Sequence, residues 1–324
     1  MKILLVGLGR WGEKHLRVLT ELGLEVWVAD LAEERRAFAV RAGVAPERAV
    51  ADFRGALARV DAVDVVTPAD SHLALAGECL QAGKHCFVEK PLAPSVAEGR
   101  ALADIQRRTG RLVQVGHIFR FHPVTEVLRQ QLASGRLGAV RYCTGRFAGF
   151  KRPRTDVGVT MTDAIHYFDL FSYLLGQPPT AVTATLRDYL GREMDDCSFS
   201  AVEYAGVSTF IEAGYFAPGT YRDCVIVGEG ATLAADFGSS EVRIHANRHV
   251  RRSGGWQAPE GDVQLIKASG PEPLRRELEL FIDAIATGQR PLVDADAGLL
   301  ALRTVVAAQR SSDLGRRVTL AEID

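Results

Sequence analysis

Two short stretches of this chain carry residue types suited to moving protons. In Cys86-Phe87-Val88-Glu89-Lys90-Pro91 an apolar run ends abruptly in an acid, an amine and a ring-locked residue. In GVTMTDAIHYFDLF, Asp163, His166 and Asp169 recur at i, i+3 and i+6, one stripe of a helix. An amine where a buried strand ends can hydrogen-bond a substrate oxygen and stabilise developing alkoxide charge, even while protonated. Its ordinary pKa of about 10.4 is high for acid–base work at neutrality, and burial or a neighbouring cation lowers it. Histidine is the side chain best matched to proton transfer near neutral pH, and a neighbouring carboxylate can orient it and raise its basicity. Lys90 alone fits a capping or solvated lysine equally well, and a lone helical histidine is more often a satisfied core residue. The flanking acids shift the reading of His166 toward function.

A third stretch supplies a cradle for a ligand. Residues 3–6 are continuously apolar, as in a strand buried on both faces, and Leu16, Leu19 and Leu22 then recur at helical spacing. Between them stands Gly7-Leu8-Gly9-Arg10-Trp11-Gly12. One glycine permits the tight turn, one lets backbone approach a pyrophosphate, and one lets helix pack on strand. The helix start offers free N–H groups and a partial positive charge to phosphates. Asp30 closes the second strand, where a carboxylate takes both ribose hydroxyls and repels a 2′-phosphate. NAD is therefore the expected cofactor, with NADP disfavoured; the alternative is a tight turn followed by an unrelated surface acid.

The elements that must hold these residues fall into two patterns. Up to about residue 120, strands such as AVDVVTP and HCFVEKP alternate with helical stretches such as HLALAGECLQAG. That alternation implies right-handed crossovers and a doubly wound parallel sheet with ligands at the carboxyl ends of its strands. From Arg141 onward, RYCTGRF, AVTATLRD, CSFSAVEY, VSTFIEAGYF and later segments mostly alternate apolar with polar, as in an antiparallel sheet with one free face. The expected fold is α/β, with a Rossmann domain over residues 1–120 and an α+β domain with a large open, mainly antiparallel sheet over 121–324. Residues 251–262 read as a mobile loop. A free sheet face invites a second copy, so a homodimer or homotetramer through the C-terminal sheet is expected; the alternative is that the C-terminal helices cover it.

Composition narrows the rest. The chain has 324 residues, with Lys+Arg 39 against Asp+Glu 40, a balance that draws it toward neither nucleic acid nor an anionic membrane. The five cysteines are scattered without a C-x-x-C, so neither a disulfide framework nor a metal site is expected. Reduced thiols, no leader-like segment and no apolar stretch near the ~20 residues of a bilayer span suggest a cytoplasmic protein.

GLGRWG, TPADSH, AGKHCFVEKPLA, VGHIFRFHP and GVTMTDAIHYFDLFSYLLG, in this order, resemble the glucose–fructose oxidoreductase / inositol dehydrogenase / MocA (Gfo/Idh/MocA) family over nearly the whole chain. The resemblance implies that Lys90 is the catalytic lysine, with a cis Lys90–Pro91 peptide, and that His166 is the second acid–base or substrate-binding residue. It implies that Thr67, Pro68, His72, Glu89 and Lys90 line the cofactor groove beside Gly7, Gly9, Arg10, Trp11, Gly12 and Asp30. Where many relatives carry an acid four residues before the histidine, this chain has Thr162, with Asp163 one residue later. Ala69 also stands where an asparagine is frequent.

The implied activity is NAD-dependent hydride transfer from a secondary alcohol of a sugar, nucleotide sugar or cyclitol. Lys90 or His166 takes the proton, and the other hydrogen-bonds the same oxygen. VGHIFRFHP followed by PRTDVGV is similar to the branch acting on UDP-N-acetylglucosamine at its 3-hydroxyl. That similarity offers Arg120, Lys151, Arg152 and Arg154 to a diphosphate or sugar hydroxyls, although Lys151 and Arg152 read rather as a solvated basic loop; Thr162 and Asp163 are further substrate-site candidates, with Asp163 also the expected catalytic partner of His166. A hydrolase using transient oxidation, or a non-catalytic NAD(H) sensor, remains an alternative, since one scaffold hosts many chemistries.

Overall fold

A computed structural model of the chain describes residues 1–323. The chain forms two compact units, Met1–Ile118 with Glu272–Leu302, and Phe119–Pro271 with the segment from Arg303 onward.

The first unit alternates as its sequence predicts. It runs β1 (Lys2–Val6), α1 (Gly12–Glu21), β2 (Glu25–Ala29), α2 (Glu33–Arg41), β3 (Ala49–Val50), α3 (Arg54–Leu57), β4 (Ala62–Val65), α4 (His72–Gln81), β5 (His85–Val88), α5 (Val96–Thr109) and β6 (Val113–Val115). All six strands pair in parallel in the order β3-β2-β1-β4-β5-β6. The order reverses between β1 and β4, where Val6 pairs with Val65 at the carboxyl ends, and such a reversal opens a crevice for a ligand. Helix α5 starts on Ser95, whose Oγ accepts from Glu98 N at 3.2 Å, and stops at left-handed Gly110.

The second unit begins with α6 (Pro123–Ala133), β7 (Val140–Gly149) and α7 (Ile165–Leu175). It continues through β8 (Ala181–Arg187), β9 (Cys197–Tyr204), β10 (Val207–Gly214), β11 (Thr220–Gly228), β12 (Thr232–Asp236) and β13 (Glu241–His245). Then come β14 (Val250–Arg252), β15 (Gly255–Gln257) and β16 (Val263–Lys267), followed by α8 (Pro273–Thr287), α9 (Ala295–Leu314) and β17 (Val318–Thr319). Nine strands form one sheet in the order β16-β13-β12-β11-β7-β10-β9-β8-β17, antiparallel except for the parallel pair β7–β10. Helix α7 lies close against one face, because Gly145 on β7 leaves room for Tyr167: a Cβ there would stand 2.6 Å from its ring.

Two expectations from sequence differ from this arrangement. The single boundary at residue 120 becomes a division at Ile118/Phe119, and Glu272–Leu302 belongs with the first unit rather than with a continuous 121–324 domain. The physical reason is that Leu274, Leu278 and Phe281 of α8 complete the first core, with Phe281 edge-on to Phe87 at 5.9 Å. Part of the expected loop 251–262 is paired. Strands β14 and β15 make a hairpin whose tight connection suits Gly255 at φ +113°.

Candidate active site

The glycine turn after β1 has the shape a pyrophosphate needs. Gly7 adopts φ +92°, and a Cβ on it would press to 2.6 Å from the Val66 carbonyl oxygen. A Cβ on Gly12 would overlap the Gly7 carbonyl oxygen, so the start of α1 packs directly on the turn. Gly9 differs: nothing lies within 4 Å of the position its Cβ would take. Two of the glycines are demanded by the protein itself, and the third leaves its backbone open to a ligand. Asp30 accepts from Leu8 N at 2.7 Å and Ala32 N at 2.9 Å, which holds the turn against the end of β2. The donors and cradle fit a dinucleotide, with Gly9 and the α1 N-terminus for phosphates and the remaining lone pairs of Asp30 for ribose hydroxyls. Arg10 and Pro68 are exposed beside this turn, and Thr67 is half-buried with its Oγ1 2.6 Å from Ser71 Oγ.

Glu89 is engaged by neighbouring groups of the protein. Its Oε1 accepts from Trp11 Nε1 at 2.6 Å and lies 3.3 Å from His15 Nε2, while its Oε2 accepts from Lys90 N at 3.0 Å. Its carboxylate fits because residue 116 is glycine, where a Cβ would come within 2.9 Å of Glu89 Cδ. His72 is likewise internal, its ring nitrogens 3.0 Å from the Pro91 carbonyl oxygen and 2.9 Å from that of Thr67. Burial lowers its pKa against the pull of those carbonyls. Both residues brace the chain around the glycine turn and the Lys90–Pro91 peptide. The Lys90–Pro91 peptide is cis, and the Lys90 side chain is half-buried.

In the second unit the helical stripe is altered at its start. Thr160–Ala164 forms a π-helical turn, and α7 begins only at Ile165. Such wide turns are frequent at functional sites. Asp195 secures this one by accepting from Thr160 N at 2.7 Å and Thr160 Oγ1 at 2.6 Å. Gly158 makes that possible, since any side chain there would overlap the Asp195 carboxylate. Burial raises the Asp195 pKa against those same hydrogen bonds.

The two acids flanking His166 are each engaged by a cation. Asp163 accepts from Lys151 Nζ at 2.6 Å, so Lys151 is no solvated loop residue. Asp169, fully buried, accepts from Arg120 Nε at 2.8 Å and Nη2 at 2.5 Å, and the guanidinium lies over Tyr173. Two nitrogens of the Arg120 guanidinium are thus engaged by Asp169. Arg154 pairs with Asp156 at 2.8 Å on the surface, and Thr162 Oγ1 donates to the Gly158 carbonyl at 3.2 Å. His166 packs against Phe119 and Phe147, at centroid distances of 5.0 and 5.4 Å and interplanar angles of 21° and 14°. The Arg222 guanidinium lies 3.4 Å from the Phe147 centroid.

Several residues escape a reading of sequence alone: His15 and Asp64, whose Nδ1 and Oδ2 lie 2.8 Å apart, and Phe119, Phe147, Asp195 and Arg222. One signal was present, because an aspartate inside the apolar run AVDVV demands a buried partner. Phe119 and Phe147 are ordinary aromatics whose spacing announces nothing.

Residues 1–117 match an oxidoreductase family, NAD-binding Rossmann fold, and residues 129–320 the same family's C-terminal alpha/beta domain. The chain is 30% identical over 312 residues to the UDP-N-acetylglucosamine 3-dehydrogenase of Acidithiobacillus ferrooxidans, covering 95% of each. A crystal structure of that enzyme superposes with a TM-score of 0.83 at 26% identity, covering 97% of this chain and 98% of that one. Inositol 2-dehydrogenase 2 of Saccharopolyspora erythraea is 33% identical, covering 89% of this chain and 86% of that protein. D-xylose 1-dehydrogenase (NADP(+)) 2 of Haloferax volcanii is 28% identical, covering 89% and 90%.

Proposed function

The chain belongs to the Gfo/Idh/MocA family of NAD(P)-dependent oxidoreductases, and from that membership we propose that it oxidises a secondary alcohol of a sugar, nucleotide sugar or cyclitol with NAD. The observation that carries the reading is the turn open at Gly9, closed by Asp30, in the same unit as Lys90. NAD bound there supplies the hydride acceptor. The Lys90 amine donates a hydrogen bond to the carbinol oxygen and stabilises its developing charge. His166, held by two aromatic rings, exchanges the hydroxyl proton, or Lys90 does so with His166 as donor. UDP-N-acetylglucosamine and inositol are the first substrates to try, given the names of the relatives.

The test is NADH formation by the purified chain with each alcohol, NAD+ compared with NADP+. Turnover is expected with NAD+ in preference to NADP+. Asp30→Asn, which removes the charge and keeps one acceptor, is expected to narrow that preference by on the order of tenfold. Reduction of neither coenzyme by any secondary alcohol overturns the assignment. A preference for NADP+ in the unaltered chain overturns the role of Asp30.

The open face of the nine-stranded sheet supports a homo-oligomer. Tyr142, Phe199 and Phe210 are 43%, 53% and 49% exposed on β7, β9 and β10. Arg146 and Asp223, paired at 2.8 Å on adjacent strands, put both signs of charge beside them. A second copy meeting this face finds complementary groups in itself. Phe210→Glu is expected to reduce the sedimenting mass to that of one chain; an unchanged oligomer removes this face from consideration.

A further inference from the structure

His15, Asp64 and Glu89 form a buried chain of charge that the reaction as described does not use. His15 lies one turn into α1 and is fully buried, with Nδ1 2.8 Å from Asp64 Oδ2 on β4 and Nε2 3.3 Å from Glu89 Oε1 after β5. Phe87 packs edge-on to the imidazole at 5.5 Å, and Trp11 at 6.0 Å. Both ring nitrogens face carboxylate oxygens, so the arrangement suits an imidazolium donating both ways. Burial alone lowers the His15 pKa, but Asp64 and Glu89 outweigh it and raise it to about 10. Burial raises Asp64 against the pull of His15. Glu89 is lowered despite burial, by hydrogen bonds and charge from His15, by the Lys90 charge and by the Trp11 donor.

The charges then count simply. His15 and Asp64 neutralise each other, and Glu89 is left with one negative charge. The charged and titratable groups facing Glu89 are His15 on α1, Asp64 on β4, His72 on α4 and Lys90 beside it. Buried His72 is held toward its neutral form, and the charge of Lys90, whose backbone N–H donates to Glu89 Oε2 at 3.0 Å, helps to lower the Glu89 pKa. The same carboxylate also fixes the Lys90 backbone through its N–H and ties it to Trp11 of the glycine turn.

We propose that the His15–Asp64 pair anchors Glu89 as a positioning residue, which fixes the Lys90 backbone and acts as the counter-ion that keeps the Lys90 amine protonated. Lys90 then meets a substrate oxygen as a hydrogen-bond donor. This rests on the reading of Lys90 given above, yet its test is independent of any substrate. The purified full chain is labelled with acetic anhydride across a pH series, and acetylation of Lys90 is followed by mass spectrometry against exposed lysines. Glu89→Gln keeps the side-chain length and removes the charge. It is expected to move the Lys90 labelling midpoint to lower pH by roughly one unit, with the exposed lysines unmoved. Glu89→Asp keeps the charge and is expected to restore the midpoint. Where Glu89→Gln does not fold, Glu89→Met replaces it.

The anchor has its own readout. A histidine with a raised pKa stabilises fully below its unfolded value, and that stabilisation is lost as pH rises toward the folded one. Thermal stability should therefore fall between pH 6.5 and about 10, and His15→Leu/Asp64→Ala should abolish that fall. A Lys90 midpoint unmoved in a folded, charge-neutral Glu89 variant overturns the counter-ion role. An alkaline fall of the same size in the double variant overturns the anchor. If Lys90→Met keeps its turnover while Glu89→Gln still shifts the midpoint, the role of Lys90 in the reaction fails and the network stands.

Discussion

Lys90→Met is expected to lower turnover by roughly 10²–10⁴-fold while NAD binding changes by less than about threefold. Methionine keeps the length of the side chain and removes only the amine. The Lys90 N–H still donates to Glu89, because that bond belongs to the backbone. The glycine turn is held by its own packing and by Asp30, which accepts from Leu8 N and Ala32 N, so the dinucleotide cradle is expected to be preserved. Single-turnover hydride transfer, with coenzyme affinity read by quenching of Trp11 fluorescence, separates the two effects. A variant that retains most of its rate excludes the amine from the reaction. One that loses NAD binding in parallel shows that Lys90 serves the coenzyme instead.

The second large effect contrasts two glycines three residues apart. Gly9→Ala places a methyl group in open space, with no protein atom within 4 Å. Its thermal stability should stay within about 0.5 kcal/mol of the parent. NAD affinity should nevertheless fall about a hundredfold, because the methyl group occupies the space a pyrophosphate needs. Gly12→Ala drives its Cβ into the Gly7 carbonyl oxygen, so α1 must move away from the turn. Both stability and affinity should drop there. Calorimetric titration with NAD+, paired with thermal unfolding, reads each quantity. If Gly9→Ala binds NAD+ as the parent does, the dinucleotide does not cross the turn at that residue.

The contrast between these glycines shows how far a motif reaches. G-x-G-x-x-G with a following acid places a cradle, since each glycine answers a local backbone need that spacing reveals. Local rules reach less far at Glu89. Its position after β5 suggests a groove residue, but its partners Trp11 and His15 lie more than seventy residues away in sequence. The same holds for Asp169, whose stripe position gives no sign of Arg120, 49 residues earlier, which donates to both its oxygens. Pairings of that kind depend on which strand neighbours which, and no periodicity encodes them.

The parallel order of the first unit, the mainly antiparallel sheet of the second and the turn at residues 7–12 follow from the sequence alone, because hydrophobic period and glycine placement act over a few residues. Tertiary structure alone decided that α8 returns to complete the first core, that a π turn precedes His166, and that two phenyl rings pack against it. These depend on space and charge shared between distant segments. A side chain's partner is set by what folding brings within a few ångströms of it, and neighbours along the chain do not determine that.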